Sequence, residues 1–136
     1  MRLIAAALAA LAALALGACG GEARDLFLVT RSGDVPGARL TLRITDDGRA
    51  SCNGRPLVDI TSAQLIAARE SERDVEPAAK AQRRLAAGAE PVFTYRIRTE
   101  EGGVAWSDDS PRQPAVLFKL AKLTRDVAKG PCHLAR

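Results

Sequence analysis

Residues 39–45 alternate strictly, with Leu40, Leu42 and Ile44 on one side and Arg39, Thr41, Arg43 and Thr45 on the other. A period of two sends successive side chains to opposite faces of a strand. The pattern returns at residues 92–99, where Phe93, Tyr95 and Ile97 oppose Thr94, Arg96 and Arg98. Strands with one apolar face belong to an antiparallel sheet that is covered on one side and wet on the other. The chain must supply that cover. Near the C-terminus Val116, Leu117, Leu120, Leu123 and Val127 recur at helical spacing and form a matching stripe. The combination points to an α+β layer.

The other elements follow from local chemistry. Leu26 to Arg31 is compact and apolar, which reads as a strand buried on both sides. Asp46-Asp47-Gly48 is a hairpin turn, Ala50 and Cys52 continue the inward alternation, and Asn53-Gly54 is a second turn. Leu57 to Ile60 is a candidate short strand. Thr61 and Gln64 make a capping box for a helix reaching about Arg73. Pro77 suits a first helical position, so a second helical piece is expected over Ala78 to Ala87, capped by Gly88. Glu100 to Gly103 turns the chain, and Val104 to Ser107 returns with Val104 and Trp106 inward. Ser110, Pro111 and Gln113 predict the start of the last helix, and Gly130-Pro131 its end. The expected domain, residues 26–136, is an antiparallel sheet of about four strands packed by helices on one face, in the order ββ-α(α)-ββ-α.

The front of the chain is compositionally different. Met1-Arg2 is a short positive segment, and residues 3–16 are a Leu/Ala run of signal-peptide length, too short for an ordinary transmembrane helix. The run ends in Leu16-Gly17-Ala18-Cys19, which resembles a bacterial lipobox. That resemblance implies a signal peptide over residues 1–18, acyl chains such as palmitate on Cys19, and a small, polar tether over residues 19–25. The product would be an exported lipoprotein held at the cell membrane or outer membrane by its acyl chains. An ordinary secretory signal with a chance Cys is the alternative.

An exported chain meets a non-reducing compartment, where Cys52 and Cys132 read as a disulfide. The rival reading, a metal or redox pair with His133, needs more ligands than the chain offers nearby. The single His excludes multi-His metal centres, and three Cys are too few for a four-Cys zinc site. No zincin, P-loop, nucleophile-elbow or dinucleotide pattern is present. The net charge of +4 comes without interleaved aromatic residues, so no nucleic-acid partner is expected. The acidic pairs Asp46-Asp47 and Glu100-Glu101 sit in turns, as such residues ordinarily do. Asp108-Asp109 precedes a helix, where acidic residues are favourable, with a small calcium site as the alternative. The expectation is a non-enzyme with no cofactor and no metal.

Function then falls to recognition. Two Pro-containing loops, residues 32–37 and 107–114, are flanked by rigid elements, and proline lowers the entropy cost of presenting a loop. Asp34, Val35 and Pro36 in the first, and Asp108, Asp109 and Pro111 in the second, are the candidate partner-binding residues; the alternative is that both loops are plain connections.

The order of motifs resembles emfourin-like proteins, inhibitors of thermolysin-type metalloproteases such as protealysin. The resemblance is carried by Arg31-Ser32-Gly33-x-x-x-Gly37 after a strand, an alternating strand ending in Asp-Gly, Phe93-Thr94-Tyr95-x-Ile97, Val104-x-Trp106-Ser107-Asp108, a Pro-rich stretch and a Leu-bearing helix. It covers roughly residues 26–128. Where the family loop usually reads Ser-Gly-Gly-aromatic-Ala-Gly, this chain has Ser32-Gly33-Asp34-Val35-Pro36-Gly37. The lipobox and the Cys52/Cys132 pair are additions. The resemblance implies a protein inhibitor, with Val35 or a residue of the 107–114 loop entering the protease cleft. An envelope structural or adaptor lipoprotein of the same fold is the alternative.

Overall fold

The computed structural model describes residues 20–136. The expected signal peptide and Cys19 lie outside the described residues. The chain builds β1 (Asp25–Ser32), β2 (Leu40–Thr45), β3 (Arg49–Cys52), β4 (Val58–Asp59), α1 (Ser62–Lys80), β5 (Thr94–Thr99), β6 (Gly102–Ser107) and α2 (Ala115–Lys129). All six strands join one antiparallel sheet in the order β4-β3-β2-β1-β5-β6. The class is α+β as expected, but there are six strands rather than about four. The first half of the chain holds four of them because both turn signals, 46–48 and 53–54, close separate hairpins. Gly48, Asn53 and Gly54 all take positive φ there.

Burial follows the alternation. Leu40, Leu42, Ile44, Tyr95, Ile97, Val104 and Trp106 are buried, whereas Thr41, Thr94, Arg96 and Arg98 are exposed. Tyr95 and Trp106, cross-strand partners, stack with ring centroids 5.1 Å apart. β1 is not buried on both sides: Thr30 is exposed and Leu28 half-buried. Its apolar density comes from a bulge between Asp25 and Phe27, which lets consecutive Leu26 and Phe27 both turn inward.

The two helices cover the buried face. α1 opens on the capping box: Gln64 N–H donates to Thr61 Oγ1 (3.1 Å) and Thr61 N–H to Gln64 Oε1 (2.9 Å). It does not stop near Arg73. It continues through Pro77 to Lys80, and the separate helical piece expected over Ala78 to Ala87 does not form. Proline removes one hydrogen bond to the Arg73 carbonyl. Arg73 and Pro77 are exposed, so the missing bond falls on the solvent side of the helix, while buried Val75 and Ala79 hold it on either side. After Lys80 the backbone extends along β6: Leu85 N–H donates to the Ala105 carbonyl and Ala105 N–H to the Arg83 carbonyl. The unsatisfied edge of β6 thus takes residues that the sequence assigned to a helix, and Gly88 caps nothing.

α2 begins at Ala115 with Pro114 as N-cap and no side-chain cap. Ser110 and Gln113 serve the preceding loop instead: Ser110 Oγ accepts from Ser107 N–H, and Gln113 Nε2 donates to the Asp108 and Ser110 carbonyls. The stripe residues Leu117, Leu120, Leu123 and Val127 are buried, as the spacing implied. Beyond α2, Cys132 joins Cys52, with S–S 2.12 Å and Cα–Cα 6.2 Å. The bridge fastens the C-terminal segment to β3. No helix among the described residues is long and apolar enough to cross a membrane.

Candidate functional site

The sheet has two distinct ends. β1 starts at the end that receives residues 20–24, where the 46–48 and 100–101 turns also lie; it finishes where β2 and β5 begin and β6 ends. At that first end charges are paired: Arg24 meets Glu72 and Asp46, and Arg69 donates to Asp46. The far end, called the pole below, collects loops 33–39, 86–93 and 107–114 together with the C-terminal residues.

Both loops singled out from the sequence are at the pole, and residues 88–93 connect them. A Cβ on Gly33 would stand 2.3 Å from the Val92 carbonyl oxygen, so the first loop lies directly against this segment. On the other side Asp108 N–H donates to the Phe93 carbonyl, and Asp108 Oδ1 accepts from Val92 N–H (3.1 Å). Asp109 accepts from Gly88 N–H through Oδ1 and from Glu90 N–H through Oδ2, both at 2.9 Å. Asp108 and Asp109 therefore spend their carboxylates on the protein's own backbone. Asp34, Pro36 and Pro111 are exposed, and Val35 is half-buried in a turn closed by Ala38 N–H to the Val35 carbonyl. No group of three or more His, Cys, Asp or Glu side chains with metal-holding geometry occurs among the described residues.

Arg31 holds the pole together from inside. It is only 4% exposed. Its Nε donates to the Ala38 carbonyl (2.8 Å), and Nη2 donates to the carbonyls of Gly37 (3.1 Å) and Arg136 (3.3 Å). The guanidinium carbon lies 5.1 Å from the centre of the Phe93 ring. Burial pushes the Arg31 pKa down, while neighbouring Tyr95 opposes that shift; arginine stays charged regardless. The first loop and the C-terminus are thus fixed to one buried cation. Burial also raises the Tyr95 pKa, against the pull of Arg31.

Beside these loops is a groove of about 420 Å³ between α2 and the sheet, with Phe93, Tyr95, Phe118, Lys122 and Arg125 among its walls. Phe118 is 57% exposed and Val92 46%. Exposed apolar groups beside a groove mark places where another molecule can be buried. Sequence reasoning missed Phe118, since it lies off the apolar stripe of α2. A large aromatic on the polar side of an amphipathic helix was the available signal. Arg31 was missed as a structural centre because alternation alone does not reveal a buried charge satisfied by carbonyls. His133 is exposed, which fits a solvated tail residue.

Comparison of the chain with protein-family models, with curated proteins and with solved structures gives no match.

Proposed function

We propose that this chain is an exported lipoprotein, held in its membrane by acyl chains on Cys19, whose domain binds a protein partner at the pole. We further propose that the partner is a thermolysin-type metalloprotease, which the domain inhibits. One observation carries the reading: the two candidate loops and a groove walled by aromatic and basic side chains converge at the end of the sheet opposite the proposed tether. The eight residues of β1 separate the two ends, roughly 25 Å at strand rise. A membrane anchor at one end leaves the other open to a macromolecule. Arg31 and Asp109 fix the loop backbones before binding, which reduces the ordering cost on association.

Val35, Pro36 and Asp34 form the tip offered to the protease, with Val35 supplying an apolar group that thermolysin-type clefts accept. Titrating such a protease with the chain from Gly20 onward tests this. Activity should fall at micromolar inhibitor and fall less with Val35→Ser; no loss at that concentration rejects inhibition. Metabolic acyl labelling, lost in Cys19→Ser, tests the anchor separately.

The adaptor reading uses the same pole with another envelope protein. It is favoured by the exposures, since Phe118 projects further than the half-buried Val35. Under it, Phe118→Ser abolishes capture of the partner while the protease titration stays flat.

A further inference from the structure

The sheet face away from the helices carries its own charge pattern. Arg96 and Arg98 alternate outward on β5, and their cross-strand neighbours on β6 are the small residues Ala105 and Gly103. Beyond β6, Arg84 bridges to Ala105. Arg84, Ala105 and Arg96 therefore form one row across three strands, and Gly103, Arg98 and Leu28 form the next. The guanidiniums rise around a floor almost without side chains, and the cleft between them holds about 260 Å³. Arg83 is also in its lining, which contains no acidic residue. All three row arginines are exposed, and none makes an ion pair among the described residues. Arg24, Arg43, Arg49 and Arg69 do have carboxylate partners, and what distinguishes the row arginines from other unpaired ones such as Arg39, Arg73 and Arg112 is that they are gathered on neighbouring strands. Unpaired guanidiniums gathered on one face suit phosphate oxygens, to which arginine bonds through a fork of donors.

We propose that this open face rests on the anionic phospholipid headgroups of the membrane that anchors the chain. The choice of bilayer phosphate rests on the anchored reading above. Six residue steps separate Cys19 from Asp25, so the tether spans at most about 20 Å. Arg98 pairs with Leu28, three residues into β1, about 10 Å further. The tether therefore keeps the arginines where a headgroup layer is the nearest large anion. Half-buried Leu28 lies between Arg98 and Arg43 and adds an apolar contact. With the face down, both helices point away from the bilayer and the pole stays at the far end of the strands.

Sedimentation of the chain from Gly20 onward with vesicles tests the proposal without any acyl anchor. The core side chains of the described residues run from Leu26 to Cys132, so this chain retains the fold, and circular dichroism verifies it for each variant. Binding is expected to phosphatidylcholine vesicles containing phosphatidylglycerol and not to phosphatidylcholine alone, and it should weaken as salt rises. Each of Arg84→Ser, Arg96→Ser and Arg98→Ser should weaken binding about fivefold, while Arg69→Ser leaves it unchanged. Equal binding to both vesicle types, or full binding by the triple variant, overturns the proposal. Release by millimolar inorganic phosphate at constant ionic strength, or tighter binding to a single-stranded oligonucleotide than to the vesicles, also overturns it by naming a different anion. Because Cys19 is absent from this chain, the two failures are distinguishable: a failed acyl label rejects the anchor and with it the argument for bilayer phosphate, while failed vesicle binding rejects the face and leaves the anchor standing.

Discussion

Asp109 fixes the second loop by accepting two backbone N–H groups from a segment about twenty residues earlier. Removing the carboxylate strands the Gly88 N–H in a half-buried place, whereas the exposed Glu90 N–H turns to solvent. Asp109→Ala should cost about 2 kcal/mol, and Asp109→Asn, which keeps one acceptor, clearly less; urea denaturation measures both. Gly88 is bound to the same contact. A Cβ there would stand 2.4 Å from the Asp109 carbonyl oxygen, so Gly88→Ala should destabilise by about 1–3 kcal/mol. Tyr95 gives a second test, because it is the only tyrosine. Burial favours its neutral phenol. Its contribution to stability is therefore complete below the unfolded pKa near 10 and is lost as pH rises through the raised folded value. Tyrosinate absorbance should show a midpoint above 10 in the native protein and near 10 in denaturant.

At the scale of elements, the alternating strands and the C-terminal stripe were legible because one side of each is buried against a matching surface. Leu42, Ile97 and Leu120 are all fully buried, as their spacing required. The segment after Pro77 was not legible. Proline at a first helical turn and proline tolerated on a wet helix face look alike in sequence, and only the packing of Val75 and Ala79 separates them. Residues 83–85 likewise took their conformation from the open edge of β6, a partner that local propensity does not see. The candidate loops were found by turn chemistry, but their meeting place depends on strand order, which no local pattern encodes. The proline also gives a prediction. Pro77→Ala restores a backbone donor and a better helix former, offset by greater unfolded-chain entropy. The net effect should be a gain of about 1–2 kcal/mol, seen as a rise of several degrees in Tm.

At the scale of the molecule, the Cys52–Cys132 bridge spans 80 residues of sequence. The chain-entropy model values such a loop at about 4–5 kcal/mol, a large share of the stability of a small domain. Reduction, or paired Cys52→Ser and Cys132→Ser, should lower the denaturation midpoint accordingly. It should also loosen the pole, since the C-terminal residue reaches Arg31. A chain built this way has its proposed anchor at one end, a basic face along one side and a pre-ordered pole at the other end.

The proposed binding of a metalloprotease at the pole is tested by titrating thermolysin-type protease activity with the wild-type and variant chains. Activity should be lost at micromolar wild-type chain, with at least tenfold weaker inhibition by Val35→Ser and unchanged inhibition by Arg96→Ser. Full protease activity in the presence of micromolar wild-type chain, or equal potency of the Val35→Ser and wild-type chains, would contradict it.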